Sequence, residues 1–192
     1  RVLFRSAIHS VERSLAKKSD AIITVGQKVM SELLDLGIGR PDQYFPIAPG
    51  IEDAKLSNRA KVRERFGISN EEKVVMWLGR FTRVKRPDRV IELAKNFPEL
   101  TFVMAGGGEL LNHVWEVAPS NVKLVGFQSK NDMWAIADIG LCTSDSEGMP
   151  LALIEAQMAG VPIVSTDVGS VSEIVRDGIT GKLAVRDGSN LA

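Results

Sequence analysis

The sequence predicts a doubly wound α/β domain with a Rossmann-like parallel sheet. Two observations carry this: apolar runs bounded by turn residues alternate with helix-length segments, and the runs are continuous rather than alternating, as in Val74-Val75-Met76-Trp77-Leu78. Strands buried on both faces of a covered parallel sheet have this pattern. In chain order, strands are expected near Ala21 to Val25, Lys73 to Leu78, Thr101 to Ala105, Val122 to Val125, Ile139 to Thr143, Pro162 to Ser165 and Lys182 to Val185. Helices are expected near Arg86 to Asn96, Lys130 to Ala137, Pro150 to Ala159 and Ser170 to Arg176.

Tyr44 to Glu52 contains Pro46, Pro49 and Gly50, which interrupt any helix or regular central strand. The residues before it form a short helix, strand, helix sequence, too little for a domain. We therefore expect residues 1–45 to be the end of a preceding domain, 46–54 a hinge, and 55–192 the main domain, short of its C-terminal end. Residue 1 is Arg rather than Met, which also suggests a fragment. In the first segment, Arg1, Arg5, Arg13, Lys17 and Lys18 accompany Val2, Leu3, Phe4, Ile8, Val11 and Leu15. This pattern suits an amphipathic helix with a solvated basic face and is compatible with peripheral contact to a membrane surface.

Composition narrows the function. The chain has 192 residues, 44% hydrophobic and 25% charged, close to a globular average. With Lys plus Arg at 24 and Asp plus Glu at 24, no basic excess favours nucleic acid. The one cysteine, Cys142, cannot form an intramolecular disulfide or a thiolate-rich metal site, which suits a reducing, cytoplasmic setting. Met149 to Val164 is apolar but broken by Glu155, Gln157, Gly160 and Pro162, so it does not read as a membrane span. The N-terminus lacks the pattern of a secretory signal.

Three loops follow strands, and the first two precede helix-length segments. Ser144 to Ala156 holds Glu147, Gly148, Met149, Pro150 and Leu151. A helix start there offers unpaired N–H groups and partial positive charge, as a phosphate requires, and Gly148 permits close approach. At about 100° per residue, Glu155 falls among Leu151, Ile154, Met158 and Ala159 on an apolar face. Its carboxylate needs a ligand hydroxyl pair, a buried cation or backbone amides, unless local geometry leaves it exposed or salt-bridged. The second loop, Gly79 to Pro87, places Arg80, Arg83, Lys85 and Arg86 at a strand's carboxyl end, suited to an anion. The third, Gly106-Gly107-Gly108, lacks the G-x-G-x-x-G spacing of dinucleotide sites and is explained by turn geometry or close backbone approach. Asp145 and Glu147 alone do not fix a metal shell. His9 and His113 have no neighbouring nucleophile for a triad.

Together these residues resemble the nucleotide-sugar-binding half of the family 4 (group 1) retaining glycosyltransferases of GT-B fold. The resemblance rests on Asp20 to Val25 leading to Ala48-Pro49-Gly50-Ile51-Glu52, Gly79-Arg80 with Lys85, and Glu147 and Glu155 with seven residues between them. It continues through Gly169 to Val175 and Asp177 to Lys182. It implies transfer of a sugar from a UDP- or GDP-sugar with retention of configuration and without a metal. By the resemblance, Arg80 and Lys85 bind the diphosphate, and the amides around Gly148, Met149 and Leu151 help hold it or the donor sugar. Likewise Glu147 faces that sugar, Glu155 accepts from the ribose hydroxyls, and Gly126, Phe127 and Gln128 lie near the base. The acceptor, whether glycan, lipid-linked sugar or small molecule, would be bound by the other domain, and attachment at the inner membrane face is compatible with this. Pro49 replaces the frequent Asn before the hinge glycine, Gly169-Ser170 replaces paired glycines, and Gly26 replaces a usual Ser. A sugar-nucleotide epimerase of the same architecture and a noncatalytic binding subunit are the alternative readings.

Overall fold

The computed structural model describes residues 2–53 and 55–184, with side chains from residue 7 onward. The expected strand end at Val185, and the roles given to Arg1 and to the side chains at 2–5, lie outside the described residues. The chain divides into two compact units, Arg1–Gly50 and Ile51–Ala192.

The first unit contains α1 (Val2–Ala16), β1 (Ile22–Thr24), α2 (Gln27–Asp35), a 3-10 turn (Pro41–Gln43) and β2 (Tyr44–Pro46). β2 was not anticipated among the prolines. It pairs in parallel with β1, Pro46 opposite Thr24. Pro46 closes the strand, and the ladder continues from the next amide, Ile47 N to Thr24 O at 2.8 Å. A proline lacking N–H is tolerated at such a position. Buried Gln43 donates to Ala16 O at 3.1 Å, and the Tyr44 hydroxyl donates to Ile38 O at 2.7 Å.

The second unit contains α3 (Arg59–Arg65), β3 (Val74–Leu78), α4 (Pro87–Asn96), β4 (Thr101–Ala105), α5 (Leu111–Val117), β5 (Val122–Gly126) and α6 (Lys130–Ile136). It continues with β6 (Ile139–Cys142), α7 (Leu151–Met158), β7 (Ile163–Thr166), α8 (Val171–Ile174) and β8 (Gly181–Ala184). All strand pairs are parallel, in the order β5-β4-β3-β6-β7-β8. The chain winds outward from β3 to β5, returns to β6 beside β3, and winds outward the other way. This reversal defines the ligand crevice of doubly wound folds, at the carboxyl ends of the two central strands.

Alternation along the strands fills two cores. Val74, Met76, Val103 and Ala105 pack with Met133, Trp134, Leu153, Ala156 and Val171 on one face, under α6, α7 and α8. Val75, Trp77, Phe102 and Met104 pack with Val90, Ile91, Ala94 and Val114 on the other, under α4 and α5. α3 and α5 were not expected from the sequence. α3 buries only Val62 and Arg63 and shows no apolar period, whereas α5 repeats Leu111, Val114, Trp115 and Ala118 at helical spacing over two turns, a short signal that went unread.

A buried ion pair ties α3 to the sheet. The Arg63 side chain is 1% exposed and reaches Asp138 Oδ2 at 3.0 Å. Its guanidinium also donates to the carbonyls of Ser69, Glu72 and Ile136 at 2.6, 3.0 and 3.2 Å. Asp138 accepts from Val74 N at 2.8 Å and from Arg59 at 2.8 Å. Burial pushes the Asp138 carboxyl up, but the Val74 amide and the two guanidinium groups outweigh it and hold the carboxyl below its ordinary range. Removing one partner of a buried pair leaves the other charge uncompensated. Asp138→Ala is therefore expected to lose about 3–5 kcal/mol of unfolding free energy in urea titration. The wild-type contribution is present above the unfolded-chain Asp value of about 3.9 and is lost as pH falls through the lower folded value.

Candidate functional site

The two loops at the winding reversal, residues 79–86 after β3 and 143–150 after β6, meet above the central strands. The β3–β6 register runs through Val75–Ile139 and Met76–Gly140 and no further, so the strands part before their carboxyl ends. The cleft that opens there is lined by Leu78, Gly79, Lys85, Ser144, Glu147 and Pro150, with Trp134 and Leu153 at its floor.

The four cations of the first loop divide into two pairs. Lys85 Nζ lies 2.6 Å from Glu147 Oε1. Arg86 holds Asp88 through Nε and Nη2 at 2.7–3.0 Å and reaches Asp145 at 3.3 Å. Arg80 and Arg83 are exposed, and no carboxylate among the described residues pairs with either. Phe81, fully buried, anchors the loop between them, with its N–H on Gly107 O at 2.9 Å and its ring edge-on to Trp77 at 4.9 Å.

Glu147, its side chain 9% exposed, is held through one oxygen. Besides Lys85, Oε1 accepts from Ser144 Oγ at 2.6 Å and lies 3.9 Å from Cys142 Sγ. Burial, and then the neighbouring Glu147 charge, push the Cys142 thiol up. Thr166 Oγ1 donates to Ser144 O at 2.7 Å, tying the base of this loop to β7.

Pro150 is the N-cap of α7 rather than its first helical residue, at φ −73°, ψ 110°. The N–H groups of Gly148, Met149 and Leu151 meet no hydrogen-bond acceptor among the described residues, as free amides at a helix start do. Gly148 is exposed, so this face of the loop is open. Behind it, Ser170 N donates to Gly148 O at 2.8 Å. Gly169 adopts φ 52°, and a Cβ there would overlap the Glu147 carbonyl oxygen. Gly106 answers to a similar constraint, since its Cβ would overlap Gly79 O. That close approach is the structural reason for the glycine turn after β4.

Glu155, one turn further along α7, is largely enclosed and has a cation for partner. Lys130 Nζ donates to Oε1 at 2.8 Å and Trp134 Nε1 to Oε2 at 3.5 Å. Its side chain is 15% exposed against 48% for Lys130. A salt bridge thus supplies the partner that its place on the helix demands, and burial alone does not require a ligand there. Phe127 is 83% exposed after β5, its ring beside Gly107, where a Cβ would come within 2.7 Å. Gly126 turns the chain at φ 67°, and Gln128 Nε2 donates to Val125 O at 2.7 Å. Among the described residues, no group of three or more His, Cys, Asp and Glu side chains could hold a metal ion, and no helix is long and apolar enough to cross a membrane.

Sequence reading did not assign roles to Thr143, Ser144, Lys130 or Trp134. Ser144 opens the strand-to-helix segment already singled out and Thr143 ends the strand expected before it, and that adjacency was the available signal. Nothing in local spacing marks Lys130 as the partner of Glu155.

Fold and site together define a doubly wound α/β domain whose crevice at the winding reversal is lined by the Lys85–Glu147 pair and bordered by a cation-rich loop and the open start of α7. The family described as glycosyl transferases group 1 matches residues 58–189, and the chain belongs to it. Similar curated proteins are D-inositol 3-phosphate glycosyltransferases. That of Mycobacterium sp. (strain KMS) is 28% identical over 187 residues, covering 90% of this chain and 43% of the relative. That of Mycobacterium tuberculosis is 29% identical over the same length, covering 39% of the relative. The chain thus spans less than half the length of these relatives. Among solved structures, Anabaena HepE in complex with UDP and glucose superposes with a TM-score of 0.83 at 24% identity, covering 92% of this chain and 52% of that one. Sucrose-phosphate synthase from Thermosynechococcus elongatus gives 0.83 at 20% identity, covering 94% and 49%. These likenesses establish the fold, an α/β Rossmann-like parallel-sheet domain consistent with the C-terminal half of a GT-B fold.

Gly169→Ala is expected to lower stability by about 1–3 kcal/mol, because the left-handed backbone is costly for alanine and the Glu147 carbonyl must move. Thermal melting checks the loss.

Proposed function

We propose that this chain forms the donor site of a retaining glycosyltransferase that takes a sugar from a nucleoside diphosphate sugar, UDP- or GDP-linked. The observation that carries the reading is the crevice at the winding reversal. Lys85 is fixed on Glu147, and among the described residues Arg80 and Arg83 are unpaired and the amides of Gly148, Met149 and Leu151 are open. Fixed cations and free amides are what a departing diphosphate needs, and they act most strongly where water is excluded. In this reading Arg80 and Lys85 take the diphosphate, with the amides beside them. The cations supply the charge stabilisation for which other enzymes use a metal, so none is required.

Glu147 faces the donor sugar. Oε1 is occupied by Lys85 and Ser144, which leaves Oε2 to accept from a sugar hydroxyl. Glu155 takes the ribose hydroxyls, exchanging them for Lys130. The exposed ring of Phe127, with Gly126 and Gln128, offers a surface for the base. Residues 1–45 belong to an acceptor-side domain and 46–54 to the hinge, and the acceptor is a glycan, lipid-linked sugar or small molecule. The lone, unpaired Cys142 supports a cytoplasmic setting. Lys17 and Lys18 on the first segment suit contact with an anionic inner membrane face.

Calorimetric titration of the chain with UDP, GDP and ADP tests the reading. One nucleotide should bind preferentially, and Lys85→Ala or Arg80→Ala should weaken it about 10- to 100-fold, the worth of one hydrogen bond to a charged group. Glu155→Ala should weaken it about tenfold with little loss of stability, since its ion pair with half-exposed Lys130 contributes little. Equal weak binding of all three nucleotides, unaffected by these variants, would refute the donor site. A separate expectation is that residues 1–192 bind donor without sustained transfer, because acceptor positioning comes from the remaining part of the enzyme. Product analysis with donor and a panel of acceptors checks it.

A further inference from the structure

Thr143, the first residue after β6, is fully buried at the point where the two crevice loops touch. Its hydroxyl lies 2.9 Å from Lys85 O and 3.0 Å from Arg86 O, and Trp77 Nε1 donates to it from 3.2 Å. An indole N–H only donates, so it occupies a lone pair on Oγ1 and leaves the single hydroxyl proton to be shared between the two carbonyls. Arg86 O has a second partner in Arg89 N at 3.2 Å, whereas no other hydrogen bond to Lys85 O is formed among the described residues.

Those carbonyls sit where the backbone is most constrained. Arg86 is at φ 51°, ψ 55°, the left-handed region, and no other non-glycine among the described residues has positive φ. This conformation turns the chain into α4 directly after Lys85. The ion pairs of Arg86 with Asp88 and Asp145 hold its guanidinium, not its backbone. The preceding carbonyl is also fastened to the opposite loop, Val84 O accepting from Asp145 N at 2.8 Å. Across Val84, Lys85 and Arg86, Thr143 is the side chain that pins the main chain of the cation loop.

We propose that Thr143, with its hydroxyl oriented by Trp77, is a positioning residue that holds Lys85 at the phosphate end of the crevice. The proposal rests on the assignment of Lys85 to the diphosphate. Thr143 touches no ligand itself. It sets the backbone from which the Lys85 ammonium projects, and so its influence is confined to the charged part of the ligand.

That confinement makes the role separable from a merely structural one. Affinities of the chain for UDP and for uridine are measured side by side, or for GDP and guanosine if that base is selected, by calorimetry and ligand-detected NMR. Thr143→Val, which keeps the shape and removes the hydroxyl, should lower the diphosphate affinity about tenfold while leaving the nucleoside within about twofold. Thr143→Ser should restore the wild-type ratio. Trp77→Phe, which removes the orienting N–H and keeps an aromatic ring, should lower the ratio in the same sense by about threefold. Should Thr143→Val fail to fold in a melting experiment, Trp77→Phe decides.

Three results overturn the proposal. If Lys85→Ala lowers the diphosphate-to-nucleoside ratio but Thr143→Val, or Trp77→Phe in its place, does not, Thr143 is only a structural residue and the donor site stands. If every variant weakens nucleoside and diphosphate alike, the effect is on folding. If Lys85→Ala itself leaves the ratio unchanged, or wild type binds neither ligand, the underlying assignment of Lys85 falls and the positioning role with it.

Discussion

The reversal of winding between β3 and β6 governs everything built above the sheet. Each connection of a parallel sheet leaves its strand at the carboxyl end and covers one face on its way back. Where the outward directions diverge, neighbouring strands send their connections to opposite faces, and no helix closes the gap above them. The two loops that border this gap are therefore brought together by topology alone, although 58 residues separate Lys85 from Thr143. β3 and β6 share a short register, with pairs at Val75–Ile139 and Met76–Gly140, and their ends are free to part. The crevice is a consequence of the strand order.

Concentrating cations at that gap carries a cost in repulsion, which the structure offsets selectively. Asp88 and Asp145 serve Arg86, Asp145 also meets Arg89 at 2.9 Å, and Glu147 serves Lys85. Arg80 and Arg83 remain solvated instead. The paired cations are tied to carboxylates, and the exposed ones keep their charge available. An anion entering the crevice would complete the compensation that the carboxylates begin, and this asymmetry distinguishes the loop from a surface charge cluster in which every cation is solvated.

Fold and site were legible in the sequence to different depths. Strands buried on both faces, such as Thr101–Ala105, announce themselves by continuous apolar runs and appear at their expected positions. α3 left little signal because most of its side chains are not buried, α5 is so short that its apolar period spans only two turns, and β2 was hidden by its own proline. The residues that line the crevice were visible because each loop is contiguous. Their partners were not: Ser144 acts through a hydroxyl with no distinctive spacing, and Thr143, Trp77 and Lys130 acquire their meaning only when the sheet brings distant segments together. Local chemistry shows which groups a loop offers, while topology decides which of them meet.

Glu155 shows why that distinction matters for the proposed function. Its helical position correctly indicated a carboxylate drawn toward the protein interior, and the structure satisfies it with Lys130 rather than leaving it empty. The competition can be weighed. An ion pair with a half-exposed lysine is worth about 0–1 kcal/mol, because water recovers most of what the ammonium loses on release. A hydrogen bond from a ligand hydroxyl to the same carboxylate is worth about 1.5–3 kcal/mol, since the acceptor is charged and largely shielded from water. On those magnitudes a ribose bound as proposed would displace Lys130 at small cost. The lysine would then return to solvent, where its long side chain is already half exposed. The salt bridge is thus compatible with a binding role for Glu155, because it keeps the carboxylate compensated in the free protein with a partner weak enough to be exchanged.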